Sequence, residues 1–563
     1  MPRWLRATAG AALAVAVITL LTRVIGFVRW LVFSPTVGAG VVGTAYQAAN
    51  QVPNILYEVV AGGALAGAVV PLLAAPIARA DREQVNRIAS ALLTWSLALT
   101  VPLAVLVAAF HQPLAAALIA GGAGADPAAA HYAGQFLLIF AAQLPLYAVG
   151  AVLTGVLQAH RKFLWPAFMP LLSSLVVIGT YLAYGAVPTD ADSAAAGPLA
   201  LLAWGTTAGV VALALPLWLP TTATGVRLRP TFTFPDGVAR RAVRLGTAGM
   251  TALIAQQIAI LSVLTVSNRT GGTGVFVLFN YIQAVYMLPY AVLAVPIATV
   301  VFPRLSRQAA EAAAEVPRTV ATTTAAILIA GGLGAAILVA AAVPLQQFFT
   351  ALDAASGSEA VPFAAMSTAI LVMALAVPGW CMIAWAMRMY AALESARYAA
   401  IGTTTGWISV IATVLIGAAV ITTTEPSRRA ATTLILVCLG HAVGMSVAAV
   451  LHLTFMRRAV GAEALHGMTR NLLITVLTSL AAAAAGYGGA QLMLTVTGSW
   501  APAGGAVVSG LVSGLIAVAV MAGLTLVLNR RLVTSLRQLA ADPTGQQSPP
   551  DSLDWLKRRR RRR

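Results

Sequence analysis

The stretch TAGAALAVAVITLLTRVIGFVRWLVF (8–33) decides the fold. It is apolar along its length except for Thr8, Thr19, Thr22 and two arginines, Arg23 and Arg29. A membrane-crossing helix needs about 20 such residues. Arg3 and Arg6 precede it, as in a secretory leader, but the apolar character continues past Arg29 into further stretches. The reading is therefore an uncleaved first membrane helix. Arg29 lies near the far end, where its long side chain can snorkel to the headgroups. Arg23 lies about 15 Å down the helix from that end, too deep for comfortable snorkelling, so it should face a cavity. The two arginines are separated by about 9 Å of rise and about 120° of turn, so they would line a broad wall. A guanidinium keeps its charge and forks onto phosphate oxygens. The expected ligand is anionic and phosphate-bearing.

Composition extends this reading to the whole chain. Of 563 residues, 59% are hydrophobic and 9% are charged, against roughly a quarter charged in soluble domains. That excludes an ordinary soluble enzyme, and the hydrophobicity excludes a disordered chain. Apolar stretches of spanning length recur along the sequence. They predict an all-α polytopic membrane protein with about 14 transmembrane helices. The expected organisation is an N-terminal six-helix lobe (1–225), a second six-helix lobe (226–460), two extra helices (461–535) and a disordered basic tail (536–563). Two stretches are long and proline-interrupted, 38–77 at Pro53 and 273–304 at Pro289 and Pro296. Broken helices survive in a bilayer where protein or a watery cavity satisfies the freed backbone groups. The segment 44–74 also resembles 275–306. Aligning Pro71 with Pro303 brings Gln51 onto Gln283, which suggests a parallel repeat of six-helix halves.

The charges set an orientation. The formal net charge is +18, and all basic residues but Lys162 and Lys557 are arginine. On the expected topology thirty basic residues fall on one side, while Arg269, Arg428 and Arg429 fall on the other. Positive residues favour the cytoplasmic side, so both termini are expected inside, in a multi-pass plasma-membrane protein. The run Arg558–Arg563 is expected to bind anionic lipids, and no nucleic-acid role is implied. Cys381 and Cys438 lie in apolar runs and suggest neither disulfide nor metal site. No cofactor is expected.

On the second stretch Gln47, Asn50, Gln51, Asn54 and Glu58 recur at helical spacing, within about 60° of one direction. Thr44 falls at the stripe's edge. Such a stripe should face water or a ligand, or hydrogen-bond other helices. Glu58 is ionisable at membrane depth, which makes it a functional candidate. Glu394 is expected to form a salt bridge with Arg388 or Arg397. Asp126, Asp190, Asp192, Asp353, Glu359 and Glu425 are expected in loops on the arginine-poor side, without a catalytic constellation. No HExxH, GxSxG or Walker A motif is present. The chain is not expected to be an enzyme, and any transport would run on gradients, potential or downstream consumption.

TRVIGFVR (22–29), GAG (38–40) and ANQVPNILYEVVAGGALAGAVVPLL (49–73) resemble the opening of the MurJ/MviN lipid II flippases. MLPYAVLAVPIATVVFPRLSRQ (287–308) resembles their eighth helix and the following loop. The resemblance implies the two-lobed fold of the multidrug/oligosaccharidyl-lipid/polysaccharide exporter superfamily, with a central cavity and a polyprenyl-tail groove at the last two helices. It implies a polyprenyl-diphosphate-linked substrate, held by Arg23 and Arg29, with cell-wall synthesis proteins as possible partners. The chain departs from the family pattern at four places. Trp30 stands where an acidic residue is common, Thr44 where many members have aspartate, and Tyr57 and Ala284 where arginines are expected. The alternatives are a related exporter of another polyprenyl-linked glycan or drug, a non-transporting scaffold for cell-wall enzymes, and, weakest, a membrane-bound glycosyltransferase.

Overall fold

The computed structural model describes residues 3–59, 66–119, 127–187, 196–247, 250–357 and 361–530, together with Thr534. Among these residues the regular structure is entirely helical. The opening stretch forms α1 (Arg3–Thr36), which runs beyond its expected end at 33 and sets Arg23 about 20 Å from the helix terminus. Gly38, at φ +72°, then turns the chain into α2 (Val41–Tyr57). A Cβ at Gly43 would collide with the Gly38 carbonyl oxygen, so only glycine fits this turn. After α2 come α3 (Ala66–Ala78), α4 (Arg82–Ala109) and the short α5 (His111–Ile119). The Asp81 carboxylate caps α4, accepting from the Gln84 amide at 2.9 Å. Helices α6 (Pro127–Phe140) and α7 (Gln143–Ala159) meet at a 44° bend. Next are α8 (Leu164–Gly185), α9 (Ala196–Ala214) and α10 (Trp218–Thr222).

The second half opens with α11 (Val238–Thr247), a short helix bearing Arg240, Arg241 and Arg244, and α12 (Met250–Val266). Then α13 (Val275–Pro289) passes through a π-type turn, Tyr290–Ala294, into α14 (Val295–Glu311). Pro289 and Pro296 flank that turn. Neither proline can supply an amide to the ladder, and the wider turn absorbs the break. Aligning Pro71 with Pro303 also places Glu58 on Tyr290, and α2 likewise gives way to a π-type turn at Glu58. The chain continues as α15 (Val316–Asp353), α16 (Met366–Ala374) and α17 (Ala376–Ala392), the last two bent by 41°. It ends with α18 (Ala396–Val420), α19 (Pro426–Val460), α20 (Met468–Val496) and α21 (Pro502–Leu528).

Eleven of these helices, or thirteen with the two bent pairs, are long and apolar enough to cross a membrane. The fourteenth expected crossing is the α2–α3 pair, whose middle lies outside the described residues. In the first half α1 packs on α8, α8 on α9, α2 on α6 and α4 on α7. In the second, α12 packs on α18, and α15 and α19 both pack on α17. Helices α20 and α21 pair with each other and lie along α15. Their contact is built from Ala336, Ala340, Ala482, Ala517 and Met521, small residues that let backbones approach where lipid gives no hydrophobic drive. Their outer faces carry exposed Leu480, Leu511 and Leu515, which suits hydrocarbon.

The helix-free segment joining the halves is fastened to α4. The amides of Arg227, Arg229 and Thr231 donate to Asn86 Oδ1, Ser90 Oγ and Thr94 Oγ1 at 2.9, 2.9 and 3.0 Å. Two residues of extended chain advance about 6.6 Å and four residues of helix about 6 Å, so the two registers match. Trp95 Nε1 closes the ladder on the Phe232 carbonyl at 3.0 Å.

Candidate functional site

Arg23 lines a cavity of about 640 Å³ enclosed by α1, α8, α13 and the π-type turn. From α1 it receives Thr19, Thr22, Gly26, Phe27 and Trp30, and from α8 Pro170 and Ser174. From α13 it receives Asn280, Gln283, Ala284 and Met287. Gly26 leaves the wall open, since no atom lies within 4 Å of where its Cβ would stand. Among the described residues no carboxylate pairs with Arg23. It is a fixed charge in an apolar setting, with amide-bearing side chains on the facing helix. Asn280 Nδ2 donates back to the Phe276 carbonyl at 3.0 Å.

Arg29 belongs to a different group. It is half-buried and does not line the Arg23 cavity. Tyr46 bonds Tyr181 and Thr206 at 3.0 and 2.9 Å. Tyr147 donates to Asn54 Oδ1 at 3.1 Å, and its ring lies 4.5 Å from that of Tyr57. Tyr147 thus ties α7 to the α2 stripe. Within the stripe Gln47 is buried, Asn50, Gln51 and Asn54 are half-buried, and Glu58 is exposed. None of these five lines the Arg23 cavity. The 120° between the two arginines separates two environments.

Two expectations about individual residues change, those for Asp353 and Glu394. Asp353 is not a loop residue. It ends α15 and is 1% exposed, because α1 and α13 close over it. Thr44 does not face a cavity: its hydroxyl oxygen accepts from the Gly274 amide at 2.8 Å, tying α2 to the start of α13. Glu394 forms no ion pair among the described residues. It follows α17 at φ +53°, while Arg388 donates to the Ala384 carbonyl and Arg397 to the Tyr398 hydroxyl. Trp30 packs edge-on against Phe33 and Tyr281 at 5.7 Å each. Asp126, Asp190, Asp192, Glu359 and Arg558–Arg563 lie outside the described residues.

Asp353 is the group that sequence reasoning missed. Its Oδ1 accepts from Ser34 Oγ and from the Tyr281 hydroxyl, both at 3.2 Å. Its Oδ2 accepts from the Ala39 amide and from Ser356 Oγ, both at 3.4 Å. The only available signal was its place at the end of a long apolar run facing the Ser34–Gly40 turn.

Two helical bundles in one polytopic chain, joined at one end around a buried polar junction and bounding a cavity whose arginine pairs with no carboxylate among the described residues, define a membrane protein with a transporter fold. A solved lipid II flippase MurJ, in an inward closed conformation, shares it with a TM-score of 0.68 at 17% identity. The likeness covers 92% of this chain and 99% of that one. An inward-facing multidrug resistance MATE family transporter of the MOP superfamily follows with a TM-score of 0.62 at 15% identity, over 80% of this chain and 98% of that one. The family model described as lipid II flippase MurJ matches residues 33–524, and the chain belongs to that family. A probable lipid II flippase MurJ of Rhizobium meliloti is 28% identical over 51% of this chain and 53% of its own length. The lipid II flippase MurJ of Burkholderia cenocepacia is 26% identical over 53% of this chain and 57% of its own length. The matched region thus spans little more than half the length of these relatives.

Proposed function

We propose that the chain is a lipid II flippase, moving a polyprenyl-diphosphate-linked peptidoglycan precursor from the inner to the outer leaflet of the plasma membrane by alternating access. The observation that carries this is the Arg23 guanidinium, deep in a membrane helix, lining a cavity and paired with no carboxylate among the described residues. A membrane protein keeps such a charge where it meets an ionic partner, and a diphosphate is the partner that family membership suggests. Arg23 would take the diphosphate, with Asn280 and Gln283 offering amide groups to sugar or peptide. Arg29 and the α2 residues Gln47, Asn50, Gln51, Asn54 and Glu58 would hold water or polar substrate groups in the first bundle. The family's further arginine positions are occupied by Tyr57, whose ring lies against that of Tyr147, and by Ala284 in the cavity wall. The cavity therefore carries less positive charge and relies more on amides.

Both termini would be cytoplasmic, as the arginine distribution favours, and the junction around Asp353 would close the opposite, outer end. The described state then admits substrate from the cytoplasmic side. The six lobe-forming crossings on each side of residues 225–226, the two added helices and the tail from 536 would be the working parts. Arg558–Arg563 would rest on anionic lipid, and cell-wall synthesis proteins are the fitting partners. The test is rescue of a strain depleted of its lipid II flippase. The wild-type chain should restore growth and Arg23→Ala should not, at equal membrane abundance. Failure of the wild-type chain to rescue, despite correct insertion, would overturn the reading in favour of a scaffold.

A further inference from the structure

The two helix bundles meet at the arginine-poor end through few polar ties. One is neutral, between Thr44 and Gly274. The other centres on Asp353, which takes donors from both bundles at once. Ser34 Oγ and the Ala39 amide come from the first bundle, and Tyr281 and Ser356 from its own. Aromatic contacts add to these, with Tyr281 facing Phe33 and Trp30 across the junction and stacking on Phe349 at 4.8 Å in its own bundle. The backbones also approach closely. Gly274 sits at φ +82°, and a Cβ there would stand 2.9 Å from the Ala39 carbonyl oxygen.

We propose that Asp353 is the latch of this end: a positioning residue whose carboxylate holds the bundles together and must give up its Ser34 and Ala39 donors before the cavity can open there. The inference rests on the alternating-access reading above. A carboxylate is a stronger acceptor than a neutral group, and this one gathers four donors, two from each bundle. A buried carboxylate stripped of all donors would be prohibitively unfavourable. Asp353 avoids that, because Tyr281 and Ser356 travel with it when the bundles part. The released Ser34 hydroxyl can turn back to a carbonyl of its own helix, as serines in helices do. The junction therefore has two satisfied arrangements, which is what a gate requires.

The test uses full-length protein in lipid nanodiscs, with Cys381 and Cys438 replaced by alanine and spin labels on Ala186→Cys and Val420→Cys. These exposed positions lie near the arginine-poor ends of α8 and α18, one on each bundle. The wild type should give mainly a short inter-label distance. Asp353→Asn should raise the long-distance population about ten-fold, the effect of losing one hydrogen bond to a charged group. Ser34→Ala, which removes one donor from across the junction, should shift it in the same direction by less. If Asp353→Asn does not accumulate, Ser34→Ala decides alone. Unchanged distances in the variants that insert would overturn the latch. Flipping of lipid-linked substrate is measured in parallel. A wild type that cannot flip while the distances still shift would sink the flippase reading and leave the latch standing.

Discussion

At the scale of single residues, the cavity makes sharp demands on Arg23. Arg23→Ala should reduce flipping by at least about a hundred-fold, while membrane abundance and thermal stability hold, because removing a bidentate phosphate contact forfeits roughly 2–3 kcal/mol of charged hydrogen bonding. Arg23→Lys should recover only part of this, since an ammonium keeps the charge but lacks the fork. Full flipping in the alanine variant, measured with labelled lipid-linked substrate in vesicles, would refute the role. Tyr46→Phe tests the first bundle's core. The lost hydroxyl bonds Tyr181 and Thr206, both buried; Thr206 keeps its bond to the Leu202 carbonyl, and stranding the Tyr181 hydroxyl should cost about 1–3 kcal/mol, read as a lower melting temperature. Arg23 was legible in the sequence because a charge in an apolar helix stands out against its neighbours. Asp353 was not. Its burial is made by α1 and α13, 319 and 72 residues away in the chain at Ser34 and Tyr281, and locally it looks like any acid at the end of a span.

At the scale of elements, the prolines were legible and the linker was not. Pro289 and Pro296 each remove an amide from the helix ladder, so a break near 290 follows from the sequence alone, and a π-type turn stands there. The fastening of 226–234 to α4 depends on Asn86, Ser90 and Thr94, spaced four apart on a helix that reads merely as membrane-spanning. Their function appears only when the extended chain lies against them. Ser90→Ala with Thr94→Val removes two acceptors from partly buried amides. It should cost about 1–3 kcal/mol and raise the rate of limited proteolysis within 226–234 several-fold. An unchanged cleavage rate would mean that the linker is held by Val226, Leu228 and Phe234, which pack into the same cluster.

At the scale of the whole molecule, orientation and closure combine into one expectation. On the proposed orientation, the arginine-rich α3–α4, α7–α8, α14–α15 and α19–α20 turns would lie in the cytoplasm. The Asp353 and Thr44 ties close the opposite end. Together they would make the Arg23 cavity reachable from the cytoplasm and shut toward the exterior. A single cysteine at Gln283, which lines that cavity, reads both features at once. In a background lacking Cys381 and Cys438, Gln283→Cys should react with a membrane-impermeant thiol reagent in inside-out vesicles and stay protected in right-side-out ones. Two surface controls separate the contributions. Thr424→Cys, exposed just before α19, should label only from outside, and Ala80→Cys, exposed before α4, only from inside. Reversed controls would invert the topology. Correct controls with Gln283→Cys labelled from outside would mean that the arginine-poor junction opens readily in the membrane. In that case adding Asp353→Asn should leave the external labelling unchanged, whereas a closed junction predicts that the same substitution newly exposes position 283 to the external reagent.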